Sequence, residues 1–207
     1  MSRIYFAAMT GVLMMTGALR AEEPLPPDLA AVPSNAMGFL HIRAAELWKS
    51  EIFKDLRATI ERAGPKALAA FDQRFVPAPS SIERLTVFAM PEGGGNDPPF
   101  VGIVRCNKPF DKAAMLKSLL PMGKEVKAGE TTFVTDEEID LGIRVIDDRT
   151  FAVATTGVMR QYLENKGQGP NPFAAALQDA AGKRHLVLAV NASLLPGEAV
   201  AELPEPR

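Results

Sequence analysis

Residues 131–156 read "TTFVTDEEIDLGIRVIDDRTFAVATT", and the alternation within them decides the fold. Three runs, "TTFVTD", "LGIRVI" and "TFAVATT", put apolar or β-branched residues at nearly every second position, the period at which one face of a strand meets a core. Between the runs stand "EEID" and "DDR", short, charged and rich in residues that tolerate tight turns. Strand, turn, strand, turn, strand is an antiparallel meander. Asp147 and Asp148 therefore read as a hairpin corner in water, because paired catalytic acids work from within a cleft.

Upstream, "MGFLHIR" (37–43) alternates as a strand, with Leu40 and Ile42 on one face and Phe39 and His41 on the other. Ser50 is placed to cap a helix reaching about Ala63, with Ile52, Phe53, Leu56 and Ile60 as its apolar stripe and Gly64-Pro65 as its stop. "KALAAFDQRF" predicts a shorter helix that ends before Pro77 and Pro79. "ERLTVFAM" and "FVGIVRC" form an antiparallel pair around the loose connection "PEGGGNDPP". Asp111 caps a helix whose Met115, Leu116, Leu119 and Leu120 face the core, and Pro121 ends it. A strand near "KEVKAG" would complete a split β-α-β start of the ferredoxin-like kind.

Downstream, "GVMRQYLENKG" and "NPFAAALQDAAGK" predict two helices, the second stopped by Gly182, and "RHLVLAVN" predicts a buried strand. That strand, with the small residues and leucines after it, echoes "GFLHIRAAELW". The echo predicts an incomplete second copy of the module at the C-terminus, as in a remnant or shortened chain. The fold class is α+β: an antiparallel sheet with helices packed on one face.

The N-terminus has a different grammar. Arg3 precedes 16 uncharged, mostly apolar residues from Ile4 to Leu19, then small residues and a proline-rich segment, the layout of a secretory signal peptide. The run is shorter than the roughly 18 to 20 residues that cross a bilayer, and Thr10, Gly11, Thr16 and Gly17 dilute it. Residues 1–21 are thus expected to be a leader cleaved after Ala21, or after Ala18, leaving a secreted or periplasmic protein with no stable membrane insertion. Residues 22–36 read as a linker in which Pro24, Pro26, Pro27 and Pro33 forbid helix, 37–192 as the α+β domain, and 193–207 as a tail.

Without the leader the chain keeps 186 residues, 21 of them basic and 25 acidic, a balance of about −4. No basic patch calls for nucleic acid. The lone Cys106 allows no internal disulfide, so burial has to hold this exported fold together. Cys106 ends an apolar run with no histidine near it in sequence, and reads as a small buried hydrophobe.

No motif supplies stronger chemistry. His41 and His185 lie far apart in sequence, each in a predicted strand, and with Cys106 lack the close spacing of metal ligands. Asp136, Glu138, Asp140 and Asp147 fall at positions 1, 3, 5 and 12 of a calcium-loop register, but Leu141 occupies the sixth position, where glycine is required. "PEGGGNDPP" has no lysine with serine or threonine after it and opens no helix, so it cannot cradle phosphate. None of the seven serines lies in G-x-S-x-G. Asn191-Ala192-Ser193 matches a glycosylation sequon, relevant only in a cell that glycosylates asparagine. The aromatic residues are scattered as packing residues would be.

The order of "LPPDLAAVPSNAMGFLHIRAAELWKSE", "IERLTVFAMP", "IDDRTFAVATT" and "NPFAAALQDAAGKRHLVLAVNASLLP" resembles a group of exported proteins of planctomycete-type bacteria that carry a domain of unknown function. The resemblance covers about residues 24–196 and is most specific at "DDRT" and "AAGKRH". It implies export and an α+β module, and supplies no activity and no functional residues.

The sequence therefore predicts no catalytic, cofactor-binding or metal-binding residue. It favours a non-catalytic exported module that contacts another protein or an envelope component through a sheet face or edge. Two rivals stand beside it: a hydrolase-type enzyme with an acidic site around Asp136, Glu138, Asp140 and Asp147, and a small-ligand carrier using the space between sheet and helices.

Overall fold

The alternation of residues 131–156 is realised as three adjoining antiparallel strands in a computed structural model that describes residues 24–91, 99–164, 167 and 169–194. The expected leader, the glycine-rich segment and most of the expected tail lie outside the described residues. In chain order the elements are α1 (Pro27–Ala30), β1 (Gly38–Ile42), α2 (Ala44–Lys49), α3 (Lys54–Arg62), α4 (Pro65–Asp72), β2 (Ile82–Ala89), β3 (Phe100–Cys106) and α5 (Lys112–Leu119). There follow β4 (Lys124–Ala128), β5 (Thr131–Asp136), β6 (Leu141–Val145), β7 (Thr150–Ala154), α6 (Thr156–Glu164), α7 (Ala174–Ala181) and β8 (Leu186–Val190). All strands join one antiparallel sheet in the order β4-β5-β6-β7-β3-β2-β1-β8. The chain is an α+β protein.

That order corrects the ferredoxin-like expectation. β1, β2 and β3 form a direct meander, and β4 hydrogen-bonds to β5 at the far edge instead of returning beside β1. The side of β1 it would have needed is taken by β8, and β3 pairs on its outer side with β7, in the register Ile103 to Ala152 and Val104 to Phe151. β8 pairs with β1 and extends the same sheet, so the apolar run that was expected to open a second copy serves this one.

Strand alternation gives the sheet two unlike faces. On one, Phe39, Phe88, Val101, Ile103, Phe133 and Ala152 pack under α1, α6 and α7, which contribute Leu29, Met159, Tyr162, Leu163 and Leu177. Phe39 meets Phe173 edge-on at 5.5 Å between ring centres, and Phe88 meets Tyr162 at 5.3 Å. The expected one-sided helix layer describes α1, α6 and α7. α5 sits on the reverse face, where Met115 and Leu120 cover Val104, Cys106, Ile143 and Phe151. Asp111 caps α5 as its position predicted, its carboxylate accepting the Ala114 N–H at 2.9 Å.

Two segments depart from expectation. Residues 27–30 form a helical turn within the supposed linker: Pro27 stands at its start, where a missing N–H costs nothing, and Leu29, Val32 and Ala36 are buried in the core. The helix expected from Ser50 to about Ala63 instead opens as a 3-10 turn (Glu51–Phe53) and continues as α3, with α2 standing before it, and its apolar stripe is only partly covered: Phe53 and Ile60 are half-buried, while Ile52 is 82% and Leu56 47% exposed. Among the described residues no helix is long and apolar enough to cross a membrane.

Candidate functional site

The acids singled out in the sequence do not converge. Asp136 is buried at the end of β5, where its two carboxylate oxygens accept the N–H groups of Met122 and Glu138 at 2.9 and 3.1 Å. Asp140, held at φ 46°, accepts the N–H of Thr156 and so caps α6 from outside. Asp147 lies past the other end of β6, about 20 Å from Asp140 along an extended strand. There it accepts the Arg149 N–H at 2.8 Å, while the N–H groups of Ile146 and Asp147 both reach the Thr150 carbonyl. "DDR" is therefore a hairpin corner. The four acids of the acidic-site alternative are thus divided between the two ends of β6, with Asp136, exposed Glu138 and Asp140 before it and Asp147 after it.

The candidate metal ligands are also separated. His41 is fully buried on the helix-covered face, Cys106 is buried on the reverse face, and His185 is half exposed, with Nδ1 3.5 Å from Glu46. Burial pushes the Cys106 thiol up, which suits a packing residue and not a nucleophile. Among the described residues no group of three or more histidine, cysteine or acidic side chains is arranged to hold an ion. Asn191 uses its side-chain oxygen locally, accepting from the Ser193 N–H and hydroxyl.

What sequence reading missed is a charged cluster beneath the helices. Arg84 and Asp28, both buried, approach to 3.2 Å without hydrogen-bond alignment. Arg105 completes the row, 3.8 Å from both Glu83 and Asp147 and donating to Thr150 Oγ1 at 3.2 Å. Burial drives the Asp28 carboxyl upward, and the Arg84 guanidinium opposes the shift. One residue pair along the strands, His41 Nδ1 bonds Thr86 Oγ1 at 2.8 Å, and Nε2 has no hydrogen-bond partner. Burial first, then the charges of Arg84 and Arg43, lower its pKa to about 4, so the ring is neutral at pH 7. No local motif could announce this cluster, because Asp28 and Arg84 meet only when α1 folds onto β2.

The more telling surface is β8. "LVLAV" was expected to be buried, yet it is an edge strand: β1 lies on one side and no described strand on the other. Val187 and Ala189 face the core, while Leu186, Leu188 and Val190 stand on the reverse face at 53%, 67% and 50% exposure. Leu40 and Val87 continue this apolar row inward from Leu188. Arg43 N–H donates to the His185 carbonyl and Asn191 N–H to Met37. By antiparallel alternation the N–H groups of Leu186, Leu188 and Val190 then point outward from the sheet edge.

Natural edge strands are guarded by charges, prolines, bulges or shortness. β4, at the opposite edge, carries exposed Lys124, Glu125 and Lys127. β8 has no charge and no proline, and pairs with β1 without a register shift. No family model, no curated protein and no solved structure matches this chain. Any functional reading has to come from these surfaces.

Proposed function

We propose that this is an exported, non-catalytic interaction module that docks a polypeptide partner by strand addition at β8. The observation that carries the reading is an edge that is unguarded among the described residues. Within five consecutive apolar residues, Leu186, Leu188 and Val190 turn their N–H and C=O groups outward beside an apolar face, while the other edge of the same sheet is charged. An uncovered edge of this kind pairs indiscriminately, so its retention in a secreted chain makes sense where a partner covers it. The partner chemistry follows: an extended segment offering backbone hydrogen bonds, with alternate apolar side chains that lie over Leu186, Leu188 and Val190. Export, inferred from the leader-like residues 1–21 and from the planctomycete-type proteins that the chain resembles, places that partner outside the cytoplasm.

The test is amide hydrogen exchange on the secreted protein with and without extended peptides of alternating apolar and polar residues. Binding should slow exchange at Leu186, Leu188 and Val190 and leave β4 unchanged. Equal protection at both edges, or none at β8, would remove the basis of the reading.

A further inference from the structure

Independently of the docking edge, and on the opposite face of the sheet, a cavity of about 540 Å³ opens between α1, α6 and β6. Its size falls within the ordinary range for small-molecule sites, roughly 300 to 1,000 Å³. Pro27, Ala31, Val32 and Leu163 give it apolar walls, and Arg144, Tyr162, Ser34 and Asn171 bring polar side chains to it, Arg144 being the charged one among the described residues that line it. Tyr162 is already committed: its hydroxyl donates to the Ala31 carbonyl at 3.1 Å, and its oxygen lies within hydrogen-bonding reach of Arg144.

Arg144 differs from the other arginines of this face. Arg84 and Arg105 each have carboxylates within 4 Å, whereas Arg144, half-buried on the covered side of β6, forms no ion pair among the described residues. A guanidinium carries five N–H donors in a fork that matches a carboxylate. Beyond Tyr162, the described residues offer that fork no further partner. A cation without a counter-charge beside apolar walls is costly to desolvate unless an anion joins it.

We infer that this cavity is a binding site for a small monocarboxylate with an apolar body, its carboxylate paired with Arg144 and its hydrocarbon part against Val32 and Leu163. Tyr162 acts as a positioning residue, holding the guanidinium from the side through the oxygen that it anchors to Ala31. Free phosphate lacks the apolar part and a neutral alcohol lacks the charge, so both should bind poorly.

Calorimetry on the secreted chain with benzoate, hexanoate, benzyl alcohol and inorganic phosphate tests this, with thermal unfolding as a second readout. At least one carboxylate should bind with Kd below about 1 mM, at least tenfold tighter than the alcohol and phosphate. Arg144→Gln should weaken that carboxylate at least tenfold while leaving the unliganded melting temperature within a few degrees of wild type. Ala30→Trp, at the exposed rim of the cavity, should block entry without touching Arg144, and keeps the test decisive should the Arg144 variant fail to fold. Equal affinity for benzoate and benzyl alcohol, carboxylate binding unaffected by either substitution, or no carboxylate binding up to about 10 mM would each overturn the assignment.

Discussion

Lowering the pH from 7 to 5 should cost this protein about 2 kcal/mol of stability through one buried side chain, His41. In the unfolded chain its imidazole titrates near 6.5, and in the fold its pKa is lowered to about 4, mainly by burial and then by Arg84 and Arg43. The unfolded state therefore binds more protons between these values. The contribution of the neutral ring is fully present above 6.5 and is lost as pH falls toward 4. At pH 5 nearly every unfolded chain carries the proton and only about one folded molecule in ten does, which gives the ~2 kcal/mol figure; below pH 4 the loss levels off near 3 kcal/mol. Asp28 works the other way, because its raised pKa makes the folded state the better proton acceptor in the acid range. The informative quantity is thus a difference: urea unfolding free energies of wild type minus His41→Gln at pH 7, 6 and 5. Wild type should lose about 2 kcal/mol more than the variant across that range, with similar denaturant slopes. Parallel pH profiles would refute the reasoning, since they would mean that His41 accepts a proton in the fold as easily as in water.

Three further outcomes follow from the packing. Asp28→Ala leaves buried Arg84 with Glu83 at 3.9 Å as its one carboxylate partner among the described residues, and should cost about 2 to 4 kcal/mol in chemical denaturation. Met115→Ala empties a fully buried position between α5 and β3, and should lower stability by about 2 to 5 kcal/mol, seen as a lower urea midpoint at unchanged slope. Asp140→Ala loses the Thr156 cap and puts at φ 46° a residue that tolerates the left-handed region less well than aspartate, a loss of about 2 kcal/mol, whereas Asp140→Gly should lose about half that because glycine adopts this φ without strain.

The meander of residues 131–156 was legible because strand alternation is a local signal: each of β5, β6 and β7 shows which side chains go inward without reference to the rest of the chain. α5 was legible for the same reason, its cap and apolar spacing lying within ten residues of one another. Sheet order was not, because nothing near Lys124 states that β4 will pair with β5 and not return to β1. The short turn at Pro27 hid behind its own prolines, since a residue that forbids helix in an interior is well suited to the first turn. β8 misled in the opposite way. A continuous apolar run is what a central strand requires, and composition cannot tell a strand buried between neighbours from one waiting at an edge. The buried charges of Asp28, Arg84 and Arg105, and the cavity beside Arg144, arise from contacts between elements and leave no mark in any short stretch.

The docking reading is tested most directly by a photo-crosslinking residue placed at Leu188, with Lys127 on the guarded edge as the control position, in the cell that makes the protein. The account predicts a discrete polypeptide adduct at position 188 that disappears when Leu186→Asp is added, and no comparable adduct at 127. Equal labelling at the two positions, or an adduct at 188 that survives the added charge, would contradict it.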